Sequence, residues 1–306
     1  MDIIPLDDPQ SWNKFCLDHA WFWHTTWWME YQRNSKFGAI FTDRSFLLRQ
    51  NGHIIDIVSL IQEDDQLISP GFSDRKEILA EVKRIALENG IKRIKVNCDI
   101  REYLSIPSYT CILDLDDIQP TKGHRSAIKK AEKYLIWTDQ VDIETFRDDY
   151  YRIAGKITRP AVTFNILGEW IRQGFGILLE AQYENATAGY VYLLHWKDRA
   201  YYFMSCVEPE FKQYNVSHYL QSVAFDILRR RGIKRYELGE QVYNSLHCQP
   251  MEKERNISLF KRGFGGQIVR SPASEYFFDA EYGQEVMKQR IENYFRGEHE
   301  ANLLHA

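Results

Sequence analysis

The chain states one structural unit twice. Gly90-Ile91-Lys92-Arg93 recurs as Gly232-Ile233-Lys234-Arg235, 142 residues further on, and each copy closes an amphipathic helical stretch. The lead-ins match as well. In the first copy, strand-like Phe46 to Arg49, a turn at Asn51-Gly52, apolar Ile54 to Ile61, Asp64-Asp65 and a second apolar run precede the helix. In the second, Ile177 to Glu180, a turn at Glu184-Asn185, Gly189 to His195, Lys197-Asp198 and Ala200 to Cys206 do the same. The turns are offset by 134 residues but the helix ends by 142, so the second copy carries about eight extra residues. They are expected between its last strand and its helix, around Glu208 to Tyr214. A doubled unit altered in one loop implies two related subdomains, one of them modified for chemistry.

Composition narrows the class. At 306 residues the chain is long enough for a sizeable core, in one large domain or two ordinary ones. A net charge of −4 argues against a broad nucleic-acid footprint, while leaving room for a local basic groove. No apolar run approaches the length of a membrane span, and Met1 to Gln10 carries three Asp and no basic residue, unlike a signal peptide. Cys16, Cys98, Cys111, Cys206 and Cys248 are scattered and form no CxxC pair. That usage points to a reduced, cytoplasmic setting with no zinc site. Cys206 lies near the altered loop, but a nucleophilic thiol there would need a base beside it.

The rest of the pattern reads as alternating helices and strands. Ser11 to Tyr31 is helical and Trp-rich, and Ser73-Asp74 with Glu77 forms a capping box for the first copy's helix. Ile78, Leu79, Val82, Ile85 and Ala86 give that helix one buried face. Tyr109 to Leu115 is a strand, Pro120 to Gly123 a boundary, and Lys122 to Lys133 a strongly basic helix. A basic run is usually a solvated face. At a subdomain junction it also suits an anionic ligand. Helices over Glu144 to Lys156 and Phe164 to Gln173 lead into the second copy, and a strand (Gln267 to Arg270) and a helix (Glu285 to Phe295) end the chain. Layered α/β or α+β architecture follows.

Three stretches carry a family resemblance. They are Thr110 to Leu115 followed by Arg125 to Lys133; Ser217-His218-Tyr219-Leu220 through Gly232 to Tyr236-Glu237-Leu238-Gly239; and Ser258-Leu259-Phe260-Lys261-Arg262-Gly263-Phe264-Gly265-Gly266. Their order resembles the FemAB-type aminoacyl and acyl transferases, which carry the acetyltransferase-like fold of the GNAT superfamily twice. The resemblance implies two tandem GNAT-like subdomains of mixed sheets flanked by helices, residues 1–120 and a catalytic 121–306. It also implies transfer of an aminoacyl or short acyl group to an amine of a peptidoglycan, sugar-nucleotide or other cell-envelope precursor. The donor is aminoacyl-tRNA in one branch and acyl-CoA elsewhere. Phe211 to Ser217 lacks the glycine-rich turn of ordinary CoA-binding relatives, which tells against standard CoA binding. The acidic net charge tells against tRNA. A CoA-dependent N-acetyltransferase of an amino sugar, and a non-catalytic binding module, stay open as alternatives, and oligomeric state is not fixed.

Amide formation needs a neutral amine, donors for the oxyanion and a proton for the leaving group. Glu237 and Glu240 flank Gly239 and are expected on opposite sides of a strand, one taking the ammonium proton. Tyr201 and Tyr202 alternate faces, Tyr202 being the catalytic candidate and Tyr201 a substrate contact, and the backbone from Tyr201 to Ser205 is expected to polarise the carbonyl as the family implies. His195 reads as a packing histidine. Lys261, between Phe260 and a glycine-rich turn, is the sharpest catalytic candidate, against the plain alternative of a surface lysine after a strand. Lys36, Arg125, Lys129 and Arg159 are candidate phosphate contacts, with His218 and Phe260 as further substrate-binding candidates from the matched stretches.

Overall fold

The computed structural model describes the backbone of residues 1–303 and the side chains of residues 1–296. The described residues divide into two compact units. One comprises Met1–Tyr109, Val242–Arg255 and the chain from Arg270 on; the other comprises Thr110–Gln241 and Asn256–Val269. This differs from the expected single division at residue 120, because the C-terminal part of the chain returns to the first unit.

The first unit opens with β1 (Asp2–Pro5), α1 (Pro9–His19) and α2 (Thr26–Arg33). Asp8 caps α1, and Trp12 is fully buried with its indole N–H donated to the His24 carbonyl at 2.7 Å. Then follow β2 (Phe41–Asp43), β3 (Phe46–Gln50), β4 (His53–Val58), β5 (Ile61–Glu63), β6 (Gln66–Ser69), α3 (Lys76–Glu88), β7 (Arg93–Val96) and β8 (Leu104–Ser105). The Ser73 capping box does not form. Helix α3 begins at Lys76, and the Ser73 hydroxyl instead donates to the Asp56 carboxylate at 2.6 Å, a tertiary acceptor that local sequence cannot reveal. The apolar face expected for α3 is the one observed: Ile78, Val82, Ile85 and Ala86 pack under Leu67, Ile94 and Val96.

The second unit contains β9 (Tyr109–Asp114), α4 (Lys122–Ala131), β10 (Leu135–Thr138), α5 (Ile143–Ala154) and α6 (Ala161–Arg172). The repeated stretch follows as β11 (Gly176–Tyr183), β12 (Ala186–Trp196), β13 (Arg199–Val207), α7 (Val216–Arg230) and β14 (Arg235–Gln241). The chain ends with α8 (Glu252–Arg262), β15 (Gln267–Arg270), β16 (Ser274–Phe277) and α9 (Ala280–Leu303). Strands order as β1-β3-β4, as β2-β5-β6-β7-β16-β8, and as β10-β11-β12-β13-β14-β9-β15. The last two sheets each contain one parallel neighbour pair from the repeat, β6 with β7 and β13 with β14.

The repeat is reproduced bond for bond at its helix ends. Gly90 and Gly232 take φ of 64° and 75°, the left-handed conformation that stops a helix without a Cβ penalty. Ile91 N–H then reaches Ala86 O at 2.9 Å, and Ile233 N–H reaches Leu228 O at 3.0 Å. Lys92 N–H bonds Asp65 O at 2.8 Å, and Lys234 N–H bonds Asp198 O at 2.9 Å. The extra residues of the second copy fall elsewhere than expected: β13 has nine residues against four in β6, so most of the gain lies in the strand itself. The segment from strand to helix is only slightly longer than in the first copy, residues 208–215 against 70–75, and it forms a 3₁₀ turn over Pro209–Tyr214.

Candidate functional site

The lengthened strand opens the sheet. Strands β13 and β14 pair in parallel only at Arg199–Arg235, Ala200–Tyr236 and Tyr201–Glu237, although they run on to Val207 and Gln241. Two devices separate them. Against β12, Tyr192 faces Met204 while Leu193 faces Tyr202, so Phe203 is a bulge residue that increases the local bend of β13. In β14, Gly239 sits at φ +89°. A Cβ there would stand 3.1 Å from the Tyr201 hydroxyl and 3.3 Å from the Lys261 ammonium. Glycine is therefore required twice, for backbone conformation and for close approach.

Tyr201, Glu237 and Lys261 meet at the point of separation. Tyr236 and Leu238 are fully buried in the core that includes α7, so Glu237, between them, faces the other side of the sheet. There it accepts a 2.7 Å hydrogen bond from the Thr110 hydroxyl of β9. Burial pushes its carboxyl above the ordinary 4.5, opposed by that hydrogen bond and by Arg199 and Lys261. The Lys261 ammonium reaches the Glu240 carbonyl at 3.4 Å, and burial lowers its pKa against the pull of Glu240 and Glu237. Burial, then the two glutamates, pushes the Tyr201 hydroxyl up to about 12, which keeps it a proton donor at neutral pH. Both Glu237 and Glu240 thus act on the same lysine and the same tyrosine. Positive φ at Gly239 interrupts the regular alternation on which the expectation of opposite sides rests.

Lys261 lies in the last turn of α8 rather than after a strand. The alternation Ile257-Ser258-Leu259-Phe260 is misleading, since Ser258 is buried while Ile257 and Leu259 are exposed. The helix end is held by α4. Thr121 N–H bonds Gly263 O at 2.8 Å, and His124 Nε2 lies 2.9 Å from Phe260 O. A Cβ on Gly263 would lie 1.9 Å from the His124 ring, which gives this part of the Phe-Lys-Arg-Gly-Phe-Gly stretch a packing reason.

The other expected residues are distributed more widely. Tyr202 points to the α7 side, its hydroxyl hydrogen-bonded to Ser205, and does not join Lys261. His218 packs edge-on to Phe260 and His124, with ring centroids 5.0 and 4.6 Å apart. Burial, then His124, pushes it down to about 4, so it is neutral at physiological pH. Phe260 belongs to the same aromatic cluster. Arg159 lies beside the splayed part of β13, its guanidinium 4.0 Å from the Met204 sulfur and 5.6 Å from the Tyr150 ring centroid. Arg125 and Lys129 are exposed on α4, Arg125 turned back onto the Pro120 carbonyl. Lys36 belongs to the other unit, where it pairs with Glu63. His195 has its pKa lowered by burial, with Nε2 3.3 Å from Arg231, as suits a packing residue. Burial pushes the Cys206 thiol up to about 12, which removes it as a nucleophile at neutral pH. Thr110 was not foreseen as part of the site; its only signal was its position at the start of a strand within a matched stretch.

Around Phe211 to Ser217, which contains no glycine, aromatic side chains pack on one another. Tyr214 stacks on Tyr183 with centroids 4.4 Å apart, and Phe211 lies 5.5 Å from Tyr183. Asn215, at φ 59°, leads into α7.

The site is thus built on a mixed sheet parted at a bulged strand. Residues 160–244 match the family described as Acetyltransferase (GNAT) domain. No curated protein matches the chain. Among solved structures, FemX superposes with a TM-score of 0.69 at 14% identity, covering 94% of this chain and 100% of FemX. L-PGS from Bacillus licheniformis gives 0.60 at 10% identity, covering 95% and 98%. A tandem GNAT protein from the clavulanic acid biosynthesis pathway gives 0.53 at 12% identity, covering 90% and 98%. The protein therefore has a FemAB-like tandem GNAT fold. Among the described residues, no helix is long and apolar enough to cross a membrane.

Proposed function

We propose that the protein is an acyltransferase that forms an amide, moving an aminoacyl or short acyl group onto an amine of a cell-envelope or nucleotide-linked glycan precursor in the cytoplasm. The convergence of Glu237, Tyr201 and Lys261 at the parting of β13 and β14 carries this reading. The acyl donor enters the opening so that its carbonyl meets backbone N–H groups of the bulged Tyr202–Ser205 stretch. Glu237, made more basic than an exposed glutamate by burial, accepts a proton from the acceptor ammonium and frees its lone pair for attack. Lys261 stabilises negative charge on the tetrahedral intermediate or on a nearby phosphate, and Tyr201 supplies a proton to the leaving oxygen or sulfur. The amide bond forms as the donor's ester or thioester bond breaks; the second proton of the attacking nitrogen restores the Tyr201 hydroxyl, and the proton taken by Glu237 returns to solvent.

The absence of a glycine-rich turn at Phe211 to Ser217, where Phe211 and Tyr214 pack on Tyr183, favours an aminoacyl-tRNA donor over CoA. The test is incubation with acetyl-CoA or with aminoacyl-tRNA, each with UDP-linked amino sugars, followed by mass spectrometry of the products. Amide product with one donor upholds the reading and names the donor. No product and no thermal stabilisation by either donor or acceptor class contradicts it and leaves the binding-module alternative.

A further inference from the structure

A second polar centre lies wholly within the first unit. Glu275 of β16 is fully buried and holds two cations, Arg93 of β7 and Arg290 of α9. Arg290 grips the carboxylate with both terminal nitrogens, the second at 3.0 Å, and Arg93 also lies over the Phe277 ring at 5.4 Å. Two guanidinium groups against one carboxylate leave an excess positive charge at a site where unpaired charge is costly. Of the groups that act on the neighbouring His247, Arg290 and Arg93 are cations and Glu275 is the carboxylate.

A cavity of about 330 Å³ opens beside this cluster, lined by His247, Gln249, Arg290, Asn293 and Arg296, with Cys248 at its wall. Its size is at the lower end of small-molecule sites. The buried Nδ1 of His247 has no hydrogen-bond partner among the described residues, and its 3.7 Å separation from the Glu275 carboxylate is too long for one. Arg296 brings a further cation, and Asn293 and Gln249 bring neutral amide donors.

We propose that this cavity is a binding site for a phosphate or pyrophosphate group, held by Arg296, Asn293, Gln249 and the His247 Nδ1–H, with the Arg93–Glu275–Arg290 cluster supplying the positive field. A compact dianion satisfies the excess charge and the orphaned nitrogen together, and its several acceptor oxygens match the donors around the rim. The assignment stands apart from the acyl-transfer reading and holds whether or not that reaction occurs.

Calorimetric titration of the full chain with inorganic phosphate, pyrophosphate and UDP, with acetate as the monoanion control, tests it. Saturable one-to-one binding of a phosphate probe is expected, weakened about tenfold or more by Arg296→Gln, the loss of a charge-assisted contact. His247→Ala is expected to weaken it about threefold to tenfold, as for loss of one donor. Arg84→Gln, an exposed cation paired with Glu81 and Glu88, is expected to leave it unchanged. Equal affinity for pyrophosphate and UDP assigns the site to a free anion, and tighter UDP binding assigns it to a nucleotide; either upholds it. No saturable binding, binding of acetate equal to that of pyrophosphate, or binding untouched by both Arg296→Gln and His247→Ala overturns it. Arg290 is left intact because its removal strands a buried carboxylate and threatens the fold.

Discussion

The two copies of the repeat start alike and end differently. In both, a strand, a helix closed by Gly-Ile-Lys-Arg and a second parallel strand make the same ladder and the same helix-end hydrogen bonds. In the first copy the ladder runs through the whole of β6, and Asn97 N–H continues it to Ser69 O at 3.2 Å. Beyond it the gap is filled by Gly71 and Phe72 against Cys98. In the second copy the ladder stops at Tyr201–Glu237, and the longer, bulged β13 leaves β14. Gly239 stands where the first copy has Asn97, counted from the shared Gly-Ile-Lys-Arg. On the function proposed above, the difference teaches that a sheet of this kind acquires a reaction site by failing to close. The residues placed at the failure are a carboxylate, a phenol and an amine.

The largest expected effect is on Glu237. Glu237→Gln should lower the rate of amide formation roughly 10²- to 10⁴-fold, the range for loss of a general base, while the amide still accepts the Thr110 hydrogen bond. Its pH dependence has a definite sign. The folded pKa is raised, so the stability contributed by the protonated carboxyl is present below the ordinary 4.5 and lost as pH rises through the folded value. Thermal melts should show wild type losing stability across that window relative to Glu237→Gln. The acid limb of the wild-type rate profile should lie above 4.5 for the same reason. Identical melts for the two proteins at every pH would show that Glu237 is not perturbed as described.

Lys261→Ala comes next, with a fall of roughly 10²- to 10³-fold in turnover or in acceptor efficiency and a melting temperature near that of wild type. A wild-type rate would detach the lysine from the chemistry. Gly239→Ala should both destabilise, by about 1 kcal/mol or more from strain at positive φ, and slow the reaction by displacing Tyr201 and Lys261. Asn97→Gly in the first copy should leave the rate alone. Tyr201→Phe should slow turnover on the order of tenfold through loss of a proton donor, whereas Tyr202→Phe should cost about 1 kcal/mol of stability and little rate. Equal kinetic losses in the two tyrosine variants would erase the assignment of faces.

Much of this was legible in the sequence because it is local and periodic. The Asn51-Gly52 and Glu184-Asn185 turns, the apolar face of α3, and the glycine that ends each helix are written in short windows, and the structure has each of them. The Phe-Lys-Arg-Gly-Phe-Gly stretch pointed to Lys261, yet its helical setting was hidden because α8 buries Ser258 and exposes Ile257 and Leu259. Strand β16 went unread for another reason: four residues have little periodicity, and Glu275 finds its partner Arg93 182 positions away. Choosing Tyr201 over Tyr202 needs the register of β13 on β14, where Tyr201 stands opposite Glu237, a pairing between strands that no local window contains. The site's geometry is non-local, and only its members were visible beforehand.

The central claim is that acyl transfer belongs to the open copy alone. Its most direct test is the single-turnover rate of amide formation in Glu237→Gln beside Ser69→Ala, which alters the closed copy at the hydroxyl 3.2 Å from Gly71 N–H. The expected result is a fall of at least about 10²-fold for Glu237→Gln with Ser69→Ala within about twofold of wild type. Equal rates for Glu237→Gln and wild type, or matching losses in both variants, would contradict it.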